Sequence, residues 1–202
     1  RHHAQTLRVQ ELVASGQFGE IRHMNGTFSF ILDRPEDYRW RPEAGGGSLW
    51  DIGCYPLSYM RMLMGANPVE IYGQADWAPT GIDHSFNALL TYPGGATGHV
   101  FCSFGLPYAV RIEIFGTRGS LVSTSPFRPR RGHAFTWIQG DSHQRLPNPL
   151  PSQSAVGEVE NLMQVIRSGA APRLSLEESR DNILTISALL DSARQGVSLQ
   201  LA

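Results

Sequence analysis

The sequence predicts an α+β domain built on an open, mainly antiparallel sheet. Between residues 69 and 123, segments rich in β-branched and aromatic residues follow one another as strands do. They are separated by turn sequences such as Pro-Gly-Gly at 93–95 and Gly-Thr-Arg-Gly at 116–119. Such short connections favour antiparallel neighbours. Helical periodicity near both ends of the chain adds the helical part of the fold.

The individual elements follow from the same patterns. Strands are expected at 20–32, 69–77, 84–92, 97–104, 109–115 and 120–123, with a short edge strand at 134–139 inside a proline-rich loop (126–151) and a returning strand at 197–201. Helices are expected at 4–15, at 48–65, and twice in the last fifty residues. The first of those two ends at Gly169, and the second begins at a capping Ser175 and ends at Gly196.

Composition excludes several classes of function. The chain has 202 residues, a formal net charge of −1 and 17% charged residues, which does not favour binding to nucleic acid or to an anionic membrane. It contains no apolar run of membrane-spanning length. Two cysteines are too few for a disulfide framework, so free thiols in a reducing, cytoplasmic compartment are expected. The adjacent His2 and His3 have no carboxylate or thiol at ligand spacing, so no metal site is predicted.

The segment 45–65 is the most informative part of the chain. Three glycines lead into a stretch with almost no charge, and Ser48-x-x-Asp51 has the form of a capping box, which predicts a helix from Ser48 to about Gly65. At 100° per residue, Ile52, Pro56, Met60 and Leu63 share one side of this helix. The opposite side carries Asp51, Tyr55, Ser58 and Met62. A carboxyl, a phenol and a hydroxyl in a row are either satisfied inside the protein or line a ligand cavity.

Simpler interpretations stay open for these residues. Asp51 can be only a capping acid, and Tyr55 a core ring with a bonded hydroxyl. Pro56 disturbs either interpretation, because an interior proline cannot donate to the carbonyl of Ile52. Trp40 and Arg41, just before the glycine turn, are residue types suited to binding a polyol. They equally suit a tryptophan that fills the core and an arginine paired with Glu43 or Asp37.

The run from residue 38 to 55 (YRWRPEAGGGSLWDIGCY) resembles the signature of the glucose–fructose oxidoreductase/inositol dehydrogenase (Gfo/Idh/MocA) family. Its pattern is a triple-glycine turn followed by Asp-x-Gly-x-(Tyr or His). Three other segments also resemble the family: Arg-His-His-Ala-Gln at 1–5, the turn GQFGEI at 16–21, and the closing helix with LSLEES at 174–179 and SARQG at 192–196. The resemblance therefore extends along nearly the whole chain.

The resemblance implies an open sheet with helices packed on one face and a second subunit on the other, giving a homodimer or larger assembly. It implies hydride transfer between NADP or NAD and a secondary hydroxyl of a sugar, polyol or dihydrodiol. Tyr55 matches the family's acid/base residue and Asp51 its orienting carboxylate, while Ser58 is a further substrate contact. Arg1 matches an arginine near the junction of cofactor and substrate. Tyrosine at position 55 points to the sugar or dihydrodiol dehydrogenase branch.

The family's nucleotide-binding features do not occur in this chain. No Gly-x-Gly-x-x-Gly follows a strand, and no lysine is present to form the family's Glu-Lys-Pro motif. We therefore expect residues 1–202 to be one substrate-binding and oligomerisation domain, with the Rossmann domain upstream of it. A non-catalytic dimerisation or scaffold domain is the main alternative. A carbohydrate-binding module ranks below it, because its candidate aromatic residues are scattered: Trp40, Trp50, Trp77 and Trp137.

Overall fold

The computed structural model describes residues 1–129, 133–147 and 156–201. The strands in this part of the chain are β1 (Ile21–Ile31), β2 (Glu70–Trp77), β3 (Asp83–Thr91), β4 (Thr97–Ser103), β5 (Gly105–Gly116), β6 (Ser120–Ser123), β7 (Ala134–Gln139), β8 (Ser142–Pro147) and β9 (Leu199–Gln200). The helices are α1 (Ala4–Ala14), α2 (Cys54–Met64), α3 (Val156–Ser168) and α4 (Leu176–Gln195). A π-helical turn, Leu49–Gly53, leads directly into α2.

The strands form one open sheet in the order β8-β7-β6-β5-β1-β4-β3-β2-β9. Each neighbouring pair is antiparallel except β1 and β4, which run parallel. The prediction of a mainly antiparallel sheet is therefore confirmed. The strand β1 lies between β4 and β5, although these two are consecutive in the sequence. A strand from the start of the chain thus forms the centre of the sheet.

Two helices pack on the same face of this sheet. A Cβ atom added at Gly26 of β1 would lie 2.5 Å from the Cβ of Pro56 in α2. One added at Gly73 of β2 would lie 2.3 Å from the carbonyl oxygen of Leu189 in α4. These two glycines belong to one row of directly paired residues across β2, β3, β4 and β1, so both helices cover one face. We call this the inner face and the opposite one the outer face.

Polar contacts tie α2 to α4 at the edge of the core. The guanidinium of Arg61 donates to Asp181 Oδ2 at 2.8 Å and to the carbonyl oxygen of Glu178 at 3.1 Å. Asn67 Nδ2 donates to the same Asp181 oxygen at 2.9 Å, and these donors lower the pKa of the Asp181 carboxyl. The four apolar residues predicted to share one side of this helix are all buried: Ile52, Pro56, Met60 and Leu63.

The far edge of the sheet differs from the prediction. The segment 134–139 is a strand, as expected, but it is not the edge strand, because β8 pairs with it along its whole length. The sequence of β8 is polar and carries no apolar alternation, so periodicity does not mark it. A polar strand is a common way to end an open sheet against water. At the opposite edge, the expected returning strand is confirmed as β9.

Candidate functional site

The helix that carries the candidate residues does not begin as a capping box. Ser48 makes no cap bond from its side chain. Instead the carboxylate of Asp83, at the start of β3, accepts from the backbone N–H of Leu49 at 2.6 Å and from Ser48 Oγ at 2.8 Å. The predicted self-capping is therefore wrong. The acceptor at this N-terminus is a buried carboxylate from a distant strand, in the place where a helix favours negative charge.

The glycine turn is shaped by the same carboxylate. Gly47 has a φ of +115°, and a Cβ atom there would lie 2.2 Å from Asp83 Oδ1. At Gly46 a Cβ would lie 2.4 Å from the carbonyl oxygen of Arg39. Glycine is required at both positions because other backbone and side-chain atoms occupy the space of a side chain. The turn therefore fixes the position of Asp51, because the Asp51 N–H donates to the Gly47 carbonyl at 3.1 Å.

The interior proline is accommodated by the π-helical turn. Pro56 lies in the first turn of α2, immediately after the widened segment Leu49–Gly53. A proline has no N–H to donate to the residue four before it, and its ring disfavours regular α geometry on that side. Pro56 also packs against Gly26 of β1. The helix is therefore widened close to the point where it approaches β1.

Asp51 is held by an arginine that the sequence analysis did not select. Arg39 Nε donates to Asp51 Oδ2 at 2.7 Å, and Arg39 Nη1 lies 3.2 Å from Asp37 Oδ1. The guanidinium also stacks over the ring of Tyr38, 4.7 Å from its centroid. The bond to Asp51 raises the pKa of Arg39. Arg39 therefore orients the Asp51 carboxyl group, and none of the described residues hydrogen-bonds its other oxygen, Oδ1.

Tyr55 presents its phenol at the surface of an aromatic cluster. The side chain is 36% exposed. Its ring centroid lies 5.6 Å from that of Phe28 on β1 and 5.6 Å from that of Phe127, which follows β6. Among residues 1–129, 133–147 and 156–201, none hydrogen-bonds the Tyr55 hydroxyl. The interpretation of Tyr55 as a buried core ring with a bonded hydroxyl is therefore wrong, and its hydroxyl is open to a ligand.

A cavity of about 310 Å³ adjoins Tyr55. One part of its lining is aromatic and the other polar; the residues are Arg1, His3, Thr6, Cys54, Tyr55, Ser58, Tyr59, Pro126, Phe127, Glu158 and Asn182. Burial raises the pKa of Tyr59 above its ordinary value, so this second phenol stays protonated. Burial also raises the pKa of the Cys54 thiol to about 11. At neutral pH neither group is an anion, and the cavity offers donors and apolar surface.

Two charged or basic groups lie at the polar end of this cavity. Arg1 Nε donates to Ser58 Oγ at 3.1 Å, and its guanidinium is paired with Glu178. Burial, with the nearby guanidinium of Arg61, lowers the pKa of Arg1 to about 10. His3 Nδ1 accepts from the Gln5 N–H at the start of α1, while burial lowers the pKa of this imidazole. His3 is therefore neutral, with its proton on Nε2.

The predicted site residues fall into three places. Arg1, Tyr55 and Ser58 line the one cavity. Asp51 precedes Tyr55 by one turn and faces Arg39 outside that lining.

The two residues before the glycine turn lie elsewhere. Trp40 donates from Nε1 to the carbonyl oxygen of Arg34 at 2.9 Å and stacks on His84 with centroids 5.8 Å apart. Arg41 is exposed, and its carbonyl oxygen accepts from the N–H of Gly46. Trp40 and Arg41 are thus not part of the Tyr55 cavity in this chain. Their proposed contact with substrate stays a prediction.

Sequence reasoning missed Arg39 and Phe127. Arg39 was one of several arginines in the segment before the glycine turn, and no local spacing marks its pairing with Asp51. Phe127 lies in the stretch 126–151, for which the proline-rich sequence predicts a loop. The only available signal was an aromatic residue between two prolines, Pro126 and Pro129, which are both buried in the structure.

The arrangement can bind and orient a hydroxylated molecule and exchange a proton with it. Tyr55 supplies a hydroxyl that can donate or accept, and Ser58 a second one. Asp51 supplies a carboxyl oxygen as an acceptor one turn earlier. Within the described ranges no three His, Cys, Asp or Glu side chains are placed to hold a metal ion. No helix in those ranges has the length and apolarity that crossing a membrane requires.

Comparison with known proteins identifies relatives of this domain. Residues 6–122 match the family model described as the GFO/IDH/MocA C-terminal domain. The chain is 33% identical to D-xylose 1-dehydrogenase (NADP(+)) 2 of Haloferax volcanii over 205 residues, which is 100% of this chain and 62% of that protein. It is also 33% identical to mouse trans-1,2-dihydrobenzene-1,2-diol dehydrogenase over 203 residues, covering 95% and 58% respectively.

A solved structure shows the same fold. The aldose-aldose oxidoreductase of Caulobacter crescentus, crystallised with glycerol, superimposes with a TM-score of 0.90 at 25% identity, over 98% of this chain and 61% of that one. The chain thus spans about 60% of the length of the relatives that it matches. The model match and these identities agree with the triple-glycine segment and with the sheet described above. The chain belongs to the GFO/IDH/MocA family, and it matches that family's C-terminal domain.

Proposed function

We propose that this chain is the substrate-side domain of an NAD(P)-dependent oxidoreductase. The reaction is hydride transfer between the nicotinamide and a secondary hydroxyl of a sugar, polyol or dihydrodiol. One observation carries the proposal: Tyr55, whose hydroxyl no described residue hydrogen-bonds, lines a cavity, one turn after a carboxyl group that Arg39 holds in place. The relatives named above support it, since their names describe a sugar dehydrogenase and a dihydrodiol dehydrogenase.

In this proposal the residues of the chain bind substrate and move its proton. Tyr55 takes the proton from the reacting hydroxyl in oxidation and returns it in reduction. An unperturbed phenol is a weak base, so it requires a neighbouring cation in the assembled site. Asp51 orients the substrate through Oδ1, which accepts from none of the described residues, and Ser58 adds a hydrogen bond. Trp40 and Arg41 contact substrate only if a bound molecule or another domain brings them towards Tyr55.

The nucleotide is held mainly outside this chain. The chain has no Gly-x-Gly-x-x-Gly turn to seat a pyrophosphate on a helix N-terminus, so its own residues do not form a dinucleotide site. Arg1, which lines the cavity, is the residue proposed to lie towards the NADP or NAD. When bound, the nicotinamide supplies or accepts the hydride. We infer that residues 1–202 form one domain that works with a separate nucleotide-binding domain, since the matched relatives are longer.

The outer face of the sheet is proposed to bind a second copy of the chain. It carries the exposed side chains of Tyr72, Leu89 and Phe115, each on a different strand. Leu89 is paired across the sheet with Tyr72 on one side and with His99 on the other. Burial lowers the pKa of His99, so that side chain is neutral.

A cytoplasmic location is supported by two free cysteines, Cys54 and Cys102.

The test is NAD(P)-linked oxidation by residues 1–202 expressed together with the nucleotide-binding domain that this proposal requires. Tyr55→Phe removes only the hydroxyl, and we expect turnover to fall by about 10²–10⁴-fold, the usual contribution of a proton-transferring group. Asp51→Asn is expected to weaken substrate binding as well as turnover. Tyr72→Phe, on the outer face, is the matched control and should leave the rate unchanged. Near-normal turnover in Tyr55→Phe would exclude Tyr55 from the chemistry.

A further inference from the structure

Phe127 is the centre of the aromatic cluster at the cavity. Its ring stacks on Phe28 at a centroid distance of 5.9 Å and an interplanar angle of 19°. It also contacts the ring of Tyr55 at 5.6 Å and the ring of Tyr59 at 6.1 Å. Tyr108, 70% exposed, also meets Phe28 edge-on at 6.2 Å. Of these rings, Phe127, Tyr55 and Tyr59 line the cavity, and Phe28 supports Phe127 and Tyr55 through its ring contacts.

The chain around Phe127 is anchored in the core. Ser123, the last residue of β6, accepts at Oγ from Gln5 Nε2 at 3.1 Å, and Gln5 is 1% exposed. Ser125 Oγ then donates to the carbonyl oxygen of Arg128 at 3.1 Å, which closes a short turn around Phe127. Pro126 and Pro129 on either side are buried. The ring of Phe127 is therefore positioned from both sides, as a binding wall needs to be.

A wall of this kind discriminates between classes of hydroxylated molecule. A six-membered ring presents C–H groups on one face, which pack on aromatic carbon, while its hydroxyls reach Tyr55 and Ser58. An open-chain polyol offers no continuous apolar face. It also loses torsional freedom when it is bound, and it leaves hydroxyls against the rings without partners. The cavity volume of about 310 Å³ lies at the lower end of the usual range for small-molecule sites.

We propose that Phe127, held by its stacking on Phe28, is a specificity-determining wall of the cavity that selects cyclic vicinal diols, including pyranose rings, over open-chain diols. This inference rests on the proposed function, because it takes Tyr55 as the place of the reacting hydroxyl. It goes further in assigning a substrate shape to this cavity and in giving a role to the segment after β6.

The test is binding to the 202-residue chain, measured by NMR chemical-shift titration and therefore independent of hydride transfer. The two probes are trans-1,2-cyclohexanediol and 2,3-butanediol, both vicinal secondary diols that differ in the ring. We expect the cyclic diol to bind at least about tenfold more tightly, the lower end of what apolar pocket contacts supply. Phe127→Ala should remove this preference, and Phe127→Leu, which keeps apolar bulk without a flat face, should reduce it.

The controls separate this inference from the catalytic proposal. Phe115→Leu changes an aromatic residue on the outer face and should leave both affinities as in the wild type. Thermal melts of each variant establish that it is folded at the titration temperature. Equal affinity for the two diols, no binding of the cyclic diol, or a preference that survives in Phe127→Ala would each overturn the inference. A failure of Tyr55→Phe to slow turnover overturns only the catalytic role, since these affinities do not depend on it.

Discussion

Replacement of Asp83 tests how the site helix is held. Asp83→Ala leaves the Leu49 N–H buried without its acceptor at 2.6 Å and deprives the Ser48 hydroxyl of its acceptor at 2.8 Å. A buried donor without a partner costs about 1–3 kcal/mol, and loss of a helix cap costs about 1 kcal/mol. Because Ser48 also contacts the Cys102 thiol, the loss of its bond to Asp83 contributes less to the decrease in stability. We therefore expect the free energy of unfolding to fall by about 3 kcal/mol.

The assay is thermal unfolding followed by circular dichroism. For a chain of this size, about 3 kcal/mol corresponds to a decrease of about 6–12 °C in Tm. Asp83→Asn keeps an oxygen that can accept from Leu49 and removes only the charge. At acidic pH its Tm should therefore decrease much less than that of Asp83→Ala. A Tm for Asp83→Ala within about 2 °C of the wild type would refute the reasoning, because it would mean that the carboxylate does not stabilise the turn.

The pH dependence gives a second check on the same residue. Burial raises the pKa of the Asp83 carboxyl, although the Leu49 N–H and the Ser48 hydroxyl oppose this. A folded-state pKa above the unfolded value of 3.8 means that the native state binds the proton more tightly. The wild type should then lose stability as pH rises from the unfolded pKa through the folded one, while Asp83→Asn does not. The stability of Asp83→Asn relative to wild type should therefore increase with pH in urea titrations; a flat or falling difference contradicts the burial argument.

Two further predictions concern the faces of the sheet. Gly73→Ala places a Cβ 2.3 Å from the backbone oxygen of Leu189, so we expect the free energy of unfolding, measured in urea, to fall by about 1–3 kcal/mol. The control Gly98→Ala meets only movable side-chain atoms at 3.1 Å or more and should lower it less. Equal decreases would show that α4 is not tightly packed on β2. Leu89→Arg on the outer face should convert a dimer to monomers in analytical ultracentrifugation, while the control Ile183→Arg on α4 should not. An unchanged sedimentation coefficient in Leu89→Arg, or a monomeric wild type, would contradict the proposed interface.

Local patterns in the sequence determined most of the elements. The 3.6-residue period identified the buried side of the site helix, and glycine with a left-handed backbone ended it at Gly65, as expected. Alternation and turn residues located β2 to β6, and the triple-glycine segment brought Asp51 and Tyr55 forward as candidates. These features depend on residues that are close along the chain, where spacing and backbone preference are sufficient.

Only the tertiary structure decided what holds and surrounds those candidates. The cap of the site helix comes from Asp83, more than thirty residues away, and the wall of the cavity from Phe127, more than seventy residues away. The parallel pairing of β1 with β4 and the polar strand β8 depend equally on neighbours across the sheet. Contacts of this kind are set by packing between distant segments, and no local periodicity records which distant partner a side chain will meet.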